Sequence, residues 1–359
     1  MAYTTIDDPS AHFQVTTYTG NSSDNAITNS GNSDLQPDLL WVKNRGATQD
    51  HVVFDSSRGF NGDNDSLYLE TNNSDAEAHN DNDHLKSFNS DGFTMQGGSS
   101  RSNNNTIAFV AWQWKANGGS RTTFTESGNN PAGGYQANTT AGFSIVDYVG
   151  TGGAGTVSHG LGVAPYVVIL KARDGSDDNE HWRVGHNSIA WTHRMQLNED
   201  GAKSDDDGVF NDTAPTSSVF TIGDGDKINT NDENMIAYVW APIQGYSKFG
   251  SYTGNASTNG PFVYLGFKPE FLIIKRTDSA NSWYLVDGTR GSTNVISAEN
   301  EANTNGAEAT GNVRLDILSN GFKIRTSGAA YNADGGTYVY MSWAKHPFVS
   351  SEGVPVTAR

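Results

Sequence analysis

Three stretches of this 359-residue chain repeat one another, and a repeat constrains the fold more than any local motif, because each copy must adopt the same structure. Each copy opens on an aromatic strand that ends in Tyr-x-Gly: Phe13 to Tyr18 and Gly20, Phe143 to Tyr148 and Gly150, Phe249 to Tyr252 and Gly254. Apolar runs that start at proline and end at lysine follow, bounded by Pro37 and Lys43, Pro165 and Lys171, Pro269 and Lys275. Each copy closes on a strand that ends in tryptophan: Trp112, Trp240 and Trp343. Lys43 and Lys171 stand 128 residues apart, as do Trp112 and Trp240, while the next intervals are 104 and 103 residues. Unrelated segments do not hold register to one residue over such distances.

The anchors read as strands. Proline at the head of a strand costs no ladder hydrogen bond, and five or so apolar residues after it suit a strand buried on both faces. With 40 glycines, many Asn, Ser, Thr and Asp residues, and no long runs of helix formers, the composition is that of short strands and many turns. Asp91-Gly92 and Asn320-Gly321 are hairpin signals. Cysteine is absent, so stability must come from buried apolar side chains. Each tryptophan can bury ~150–250 Å², and Trp41, Trp112, Trp240 and Trp343 are read as core. The expected fold is all-β: three tandem antiparallel β-sandwich domains of jelly-roll or lectin-like type, either around a pseudo-threefold axis or as a string.

The boundaries follow from the anchors: an N-terminal arm at 1–12, repeats at 13–115, 142–243 and 244–348, a linker rich in Gly, Asn and Thr at 116–141, and a tail at 349–359. The arm has no core of its own and is the expected attachment point. The linker either swings freely or lies across a neighbouring copy.

Forty acidic residues against 23 basic ones leave a net charge of -17, which disfavours nucleic acid and anionic membranes as partners. No run approaches the ~20 apolar residues of a membrane span, and the first ten residues lack a secretory pattern.

A search for chemistry finds little. His51, His159, His181 and His186 stand in no nucleophile-elbow context, and no zinc helix or phosphate-binding loop is present, so no catalytic residue is assigned. Loops rich in Asp can hold Ca²⁺; the candidates are Asp205, Asp206, Asp207, Asp224 and Asp226, with Asp63, Asp65, Asp174, Asp177 and Asp178 beside them, each weighed against a solvated turn. Trp182 and Trp283 lie outside the core-like strands and are the candidates for stacking on a glycan. Asp55 and Arg58, like Asp287 and Arg290, are spaced to pair across a turn and fix it; the second copy lacks this loop.

Several of these residues carry a family likeness. Thr5-Ile6-Asp7-Asp8-Pro9-Ser10-Ala11-His12-Phe13-Gln14, Leu35-Gln36-Pro37-Asp38, Asp55-Ser56-Ser57-Arg58-Gly59 and Ala111-Trp112-Gln113-Trp114-Lys115-Ala116-Asn117-Gly118-Gly119 together resemble a repeated domain of unknown function found in virion proteins of cyanophages and related marine phages. The likeness covers nearly the whole chain and implies a non-enzymatic structural protein of the virion surface, tail-fibre-like, made in the host cytoplasm and present in many copies per particle. The implied partners are other virion proteins, through the N-terminal arm, and a host glycan. A head decoration protein is the alternative, and a tail-associated polysaccharide depolymerase is the rival from the enzyme class.

Overall fold

A computed structural model describes residues 3–79, 83–175, 180–291 and 294–356. The chain is all-β and antiparallel, and one strand order recurs three times. In the first copy an opening strand (Phe13–Thr19) pairs with the closing strand (Ala108–Trp114), which pairs with the lysine strand (Leu39–Asn44), which pairs with a return strand (Val52–Asp55). The second copy repeats this with Phe143–Val149, Asn234–Trp240, Val167–Ala172 and Arg183–His186. The third uses Ser247–Thr253, Thr337–Pro347, Phe267–Arg276 and Trp283–Asp287.

Strand register corrects one anchor of the repeat. Lys43, Lys171 and Lys275 lie opposite Val110, Ile236 and Val339. Four residues further on stand Trp114, Trp240 and Trp343, so Trp114 is the equivalent tryptophan, and Trp112 corresponds to Tyr238 and Met341. The ambiguity is physical: residues two apart on a strand share a face, and the first copy carries an indole at both positions. The Tyr-x-Gly anchor is in register as expected, with Tyr18, Tyr148 and Tyr252 opposite Phe109, Met235 and Tyr338.

The four recurring strands of each sheet are covered on both faces, which is why the lysine strands of copies one and two are buried at every position. The outer face packs on a small sheet of the same copy. In copy one, Leu40, Val42, Phe54 and Phe109 meet Ile27, Phe93 and Met95; in copy two, Val146, Val168 and Leu170 meet Val157, Phe220 and Ile222. The inner face belongs to no single copy. Phe13, Trp41 and Trp114, then Phe143, Ile169 and Trp240, then Phe249, Ile273 and Trp343, all join one continuous cluster. The tryptophans read as the centres of separate sandwich cores thus lie between the copies instead.

The linker and the N-terminal arm are both integrated into this body, which for the linker is the second of its two expected states. Within the 116–141 linker, Thr122–Phe124 and Gly133–Asn138 form a hairpin, and Gly133–Asn138 extends the second sheet by pairing with Phe143–Tyr148. The N-terminal arm is not free: Thr4 and Ile6 are buried and Ile6 joins the shared core. Tyr3 donates its hydroxyl to the Gly266 carbonyl at 2.8 Å, and Asp7 accepts the Ser351 amide at 2.7 Å, which ties the two ends of the chain together. Deleting residues 1–12 is therefore expected to destabilise the protein by at least about 2 kcal/mol from the loss of Ile6 burial alone, measured as a lower urea midpoint with unchanged m-value.

Candidate functional site at the junction of the three copies

The junction is built in layers from equivalent positions. In the first layer the rings of Trp114, Trp240 and Trp343 meet one another at centroid separations of 6.1, 5.8 and 5.2 Å, all near edge-to-face. Such geometry places the positive edge of one ring against the negative face of the next. Phe271 stacks on Trp343 and on Trp112 beneath them. The void among these side chains is about 20 Å³ and is lined by carbon, so it is a packing defect and not a ligand chamber.

The second layer is polar and passes from each copy to the next. Asp55 accepts from Arg58 of its own copy and from the Tyr238 hydroxyl of copy two at 2.7 Å. Arg58 also reaches Glu77 at 3.1 Å, and Glu77 takes Arg173 of copy two at 2.7 Å. Copy three repeats the arrangement toward copy one: Asp287 pairs with Arg290 at 2.6 Å and accepts the Trp112 indole N–H at 3.1 Å, while Glu308 bridges Arg290 and Arg45. The turns close as the Asp-x-x-Arg spacing implies, since Asp55 and Asp287 each also accept the amide of their own arginine. Copy two has diverged. The register places His186 where the others carry aspartate, and its Nε2 donates to the Tyr340 carbonyl of copy three at 3.3 Å.

The third layer holds three buried lysines. Lys43 Nζ donates to the carbonyls of Gln49 and, in copy three, Asn305. Lys171 Nζ donates to Ala172 and, in copy one, Ser74; Lys275 Nζ donates to Arg276, Asn281 and, in copy two, Asp200. Beside them His51, Trp182 and Trp283 occupy one equivalent position, four residues before Asp55, His186 and Asp287. They reach across the same three boundaries: His51 to the Glu301 carbonyl at 3.1 Å, Trp182 to Glu70 at 2.8 Å and Trp283 to Gln196 at 2.8 Å. Every bond of this layer that crosses a boundary runs one way round, copy one to three, three to two and two to one. Heterologous contacts that return to their start close a ring, which decides between a pseudo-threefold body and a string.

This placement corrects one expectation. Trp182 and Trp283 are each only 1% exposed and their indole N–H groups are spent on a neighbouring copy, so neither offers a stacking face to a glycan. The acidic loops at 205–208 and 223–225 meet through their main chains, the Gly223 and Gly225 amides donating to the Val209 and Gly208 carbonyls at 2.9 Å each, but their described carboxylates are paired or exposed. Asp206 pairs with Arg194 at 2.9 Å, Asp205 and Asp224 face solvent, Asp207 starts a short helix, Asp174 accepts from Asn234, and Asp65 lies in the Asn61 turn. The side chain of Asp226, and Asp177 and Asp178 entirely, lie outside the described residues. Among the described residues no three His, Asp or Glu side chains are grouped to hold a metal ion.

The histidines have structural partners. His51 Nδ1 accepts the Trp41 indole N–H at 2.9 Å, which leaves Nε2 to donate to Glu301, and burial holds the ring well below the usual histidine range. His186 accepts the Ser188 amide on Nδ1 and is pushed down to about 4 by burial. His159 and His181 bond the Thr216 carbonyl and the Asn198 amide.

The layers make two measurable statements. Trp240→Ala should cost about 3–5 kcal/mol in equilibrium urea unfolding, and combining it with Trp114→Ala should cost less than the two separately, because the rings touch. Burial pushes Lys43, Lys171 and Lys275 each down from 10.5 to about 8. Above about pH 8 the folded chain sheds protons that the unfolded chain keeps, so these lysines make stability rise with pH from 8 toward 10. Lys171→Met should flatten that slope by about one third, read from urea midpoints across the window, whatever it does to stability at neutral pH.

Sequence comparison adds one relationship to this geometry. No curated protein matches the chain. Residues 8–347, from the N-terminal segment through the closing strand of the third copy, match the family model described as a domain of unknown function, DUF7483, and the chain belongs to that family.

Proposed function

We propose that this chain is a non-enzymatic structural protein of a tailed-phage virion surface, in which three β-sandwich copies form one pseudo-threefold body that presents its outer loops for attachment, as a tail-fibre or adhesin head does. The observation that carries the reading is the closed ring of contacts: the buried charges, indoles and imidazoles at the centre all hold copy to copy. A single chain thereby reproduces the form of a homotrimer, a shape that matches threefold partners in an assembly. Net charge of -17 suits a protein displayed at high local concentration. The likeness of the Asp55–Gly59 loop and of the Trp112–Gly119 exit to cyanophage virion proteins supports the same reading.

Attachment through a free N-terminal arm does not fit a segment whose Ile6 is in the core, so contact with other virion proteins is assigned to the folded surface. Glycan contact, no longer assignable to Trp182 or Trp283, belongs to outer loops. The shape also fits a decoration protein on a head, and immuno-electron microscopy of particles carrying the chain separates the two. Label at the tail tip is the expected result, label over the head replaces the tail reading with decoration, and unlabelled particles end both. Release of reducing sugar from host envelope by the purified chain would overturn the non-enzymatic reading in favour of a depolymerase.

A further inference from the structure

The three boundaries between copies are equivalent, yet one place in them is filled in two different ways and, among the described residues, left open in the third. Between copies one and two it is filled by Gly133–Asn138, the strand added beside the opening strand of copy two. Its Gln136 donates to Ser56 Oγ at 2.9 Å and Ser57 Oγ at 2.6 Å and accepts the Gly119 amide at 3.0 Å. Beneath it the buried Asp38 accepts Ser56 Oγ at 2.6 Å and the amides of Ala116, Gly118 and Gly119. Between copies two and three the Asn187–Ile189 turn packs on the opening strand of copy three, held by its Asn187 amide on the Tyr166 carbonyl at 2.8 Å.

Between copies three and one stands a cleft of about 190 Å³. Glu270 precedes Phe271 as Asp38 precedes Leu39, and Thr289 follows Asp287 by two residues as Ser57 follows Asp55, so the floor of the filled site is present here. Thr289 donates its hydroxyl to Glu270, whose other oxygen lies 3.0 Å from Lys345 Nζ. One wall is the first half of the opening strand, Phe13 to Val15, an edge strand of its sheet; residues 30–32 form the other.

The edge is ready for pairing. His12 accepts the Lys115 amide at 3.0 Å, and hydrogen-bonded pairs alternate along an antiparallel ladder. Gln14, Thr16 and Tyr18 therefore turn their main-chain groups to the closing strand, and Phe13, Val15 and Thr17 turn theirs to the open edge. In copy two the corresponding edge is the one that pairs with Gly133–Asn138, with Gln136 opposite Ile145, the equivalent of Val15.

We propose that this cleft is a docking site for an extended segment of a second protein, added antiparallel to Phe13–Thr19, with a Gln or Asn side chain directed onto Thr289 and Glu270. Main-chain pairing supplies the affinity and the amide side chain supplies the selectivity, as in other strand additions to a sheet edge. The inference stands on the comparison of the three boundaries and does not depend on the virion reading, so either can fail alone.

The chain itself supplies the probe: a synthetic peptide of residues 131–139, which contains the strand that fills the equivalent place. Hydrogen exchange on the full chain with and without millimolar peptide should show new protection at the amides of Phe13, Val15 and Thr17. The same peptide with Gln136→Ala should bind about tenfold more weakly, the worth of a lost hydrogen bond to a partner left unpaired. Thr289→Arg, and separately Ser30→Arg on the facing wall, should each abolish that protection in a protein whose melting temperature is unchanged; two variants guard against one failing to fold. No protection at millimolar peptide, protection indifferent to Gln136→Ala, or protection that survives both filled clefts would overturn the proposal.

Discussion

Everything in this fold depends on a sheet that is apolar on both faces. Four antiparallel strands whose alternate residues are Leu39, Trp41 and Trp114 on one side and Leu40, Val42 and Phe109 on the other cannot leave either side to water. Each copy owns a small sheet that covers the outer face. Among the described residues the inner face is buried chiefly against the other two copies. A string of independent domains would expose that face three times over, whereas a ring closes it once, with Trp114, Trp240 and Trp343 at the meeting point.

Closing a ring from one chain brings polar groups into the same interior, and the copies handle them alike. Each lysine strand ends in an ammonium that is buried at its boundary, and burial of a charge is costly unless it is hydrogen-bonded. The carbonyls of Asn305, Ser74 and Asp200 meet that need, each from the neighbouring copy. The aspartate, arginine and glutamate networks do the same at two of the three boundaries. Removing one member of such a network leaves its partners charged and buried, which ties each copy to its neighbour. The second copy has replaced its aspartate with the neutral His186, a cheaper group to bury, and this is also the boundary closed by a short turn where the first uses an added strand.

The three copies serve as controls for one another. Where positions agree in all three, as with the lysines, the shared requirement is the junction. Where one copy departs, the departure marks either a different way to close a boundary or a place left open. The cleft over Glu270 and Thr289 is visible as a feature only because Asp38 and Ser57 show what the same floor looks like when occupied.

That the chain is all-β, that one strand pattern recurs three times, and that the Tyr-x-Gly and Pro-to-Lys runs are equivalent strands was legible in the residues, because strand periodicity is a local property written into consecutive positions. The Asp55–Arg58 and Asp287–Arg290 pairs were legible for the same reason, being three residues apart on one turn. Which tryptophan of Trp112 and Trp114 matches Trp240 was not, since both lie on the same face of one strand and only pairing to Lys43 separates them. Nor was the burial of Trp182 and Trp283, whose spacing outside the central strands says nothing about the neighbouring copy that covers them. The ring and the place of the arm in the core came only with the folded chain, because each depends on a surface contributed by residues some hundred or more positions away; the strand within the linker pairs with its near neighbours, but its Gly- and Asn-rich composition hid it.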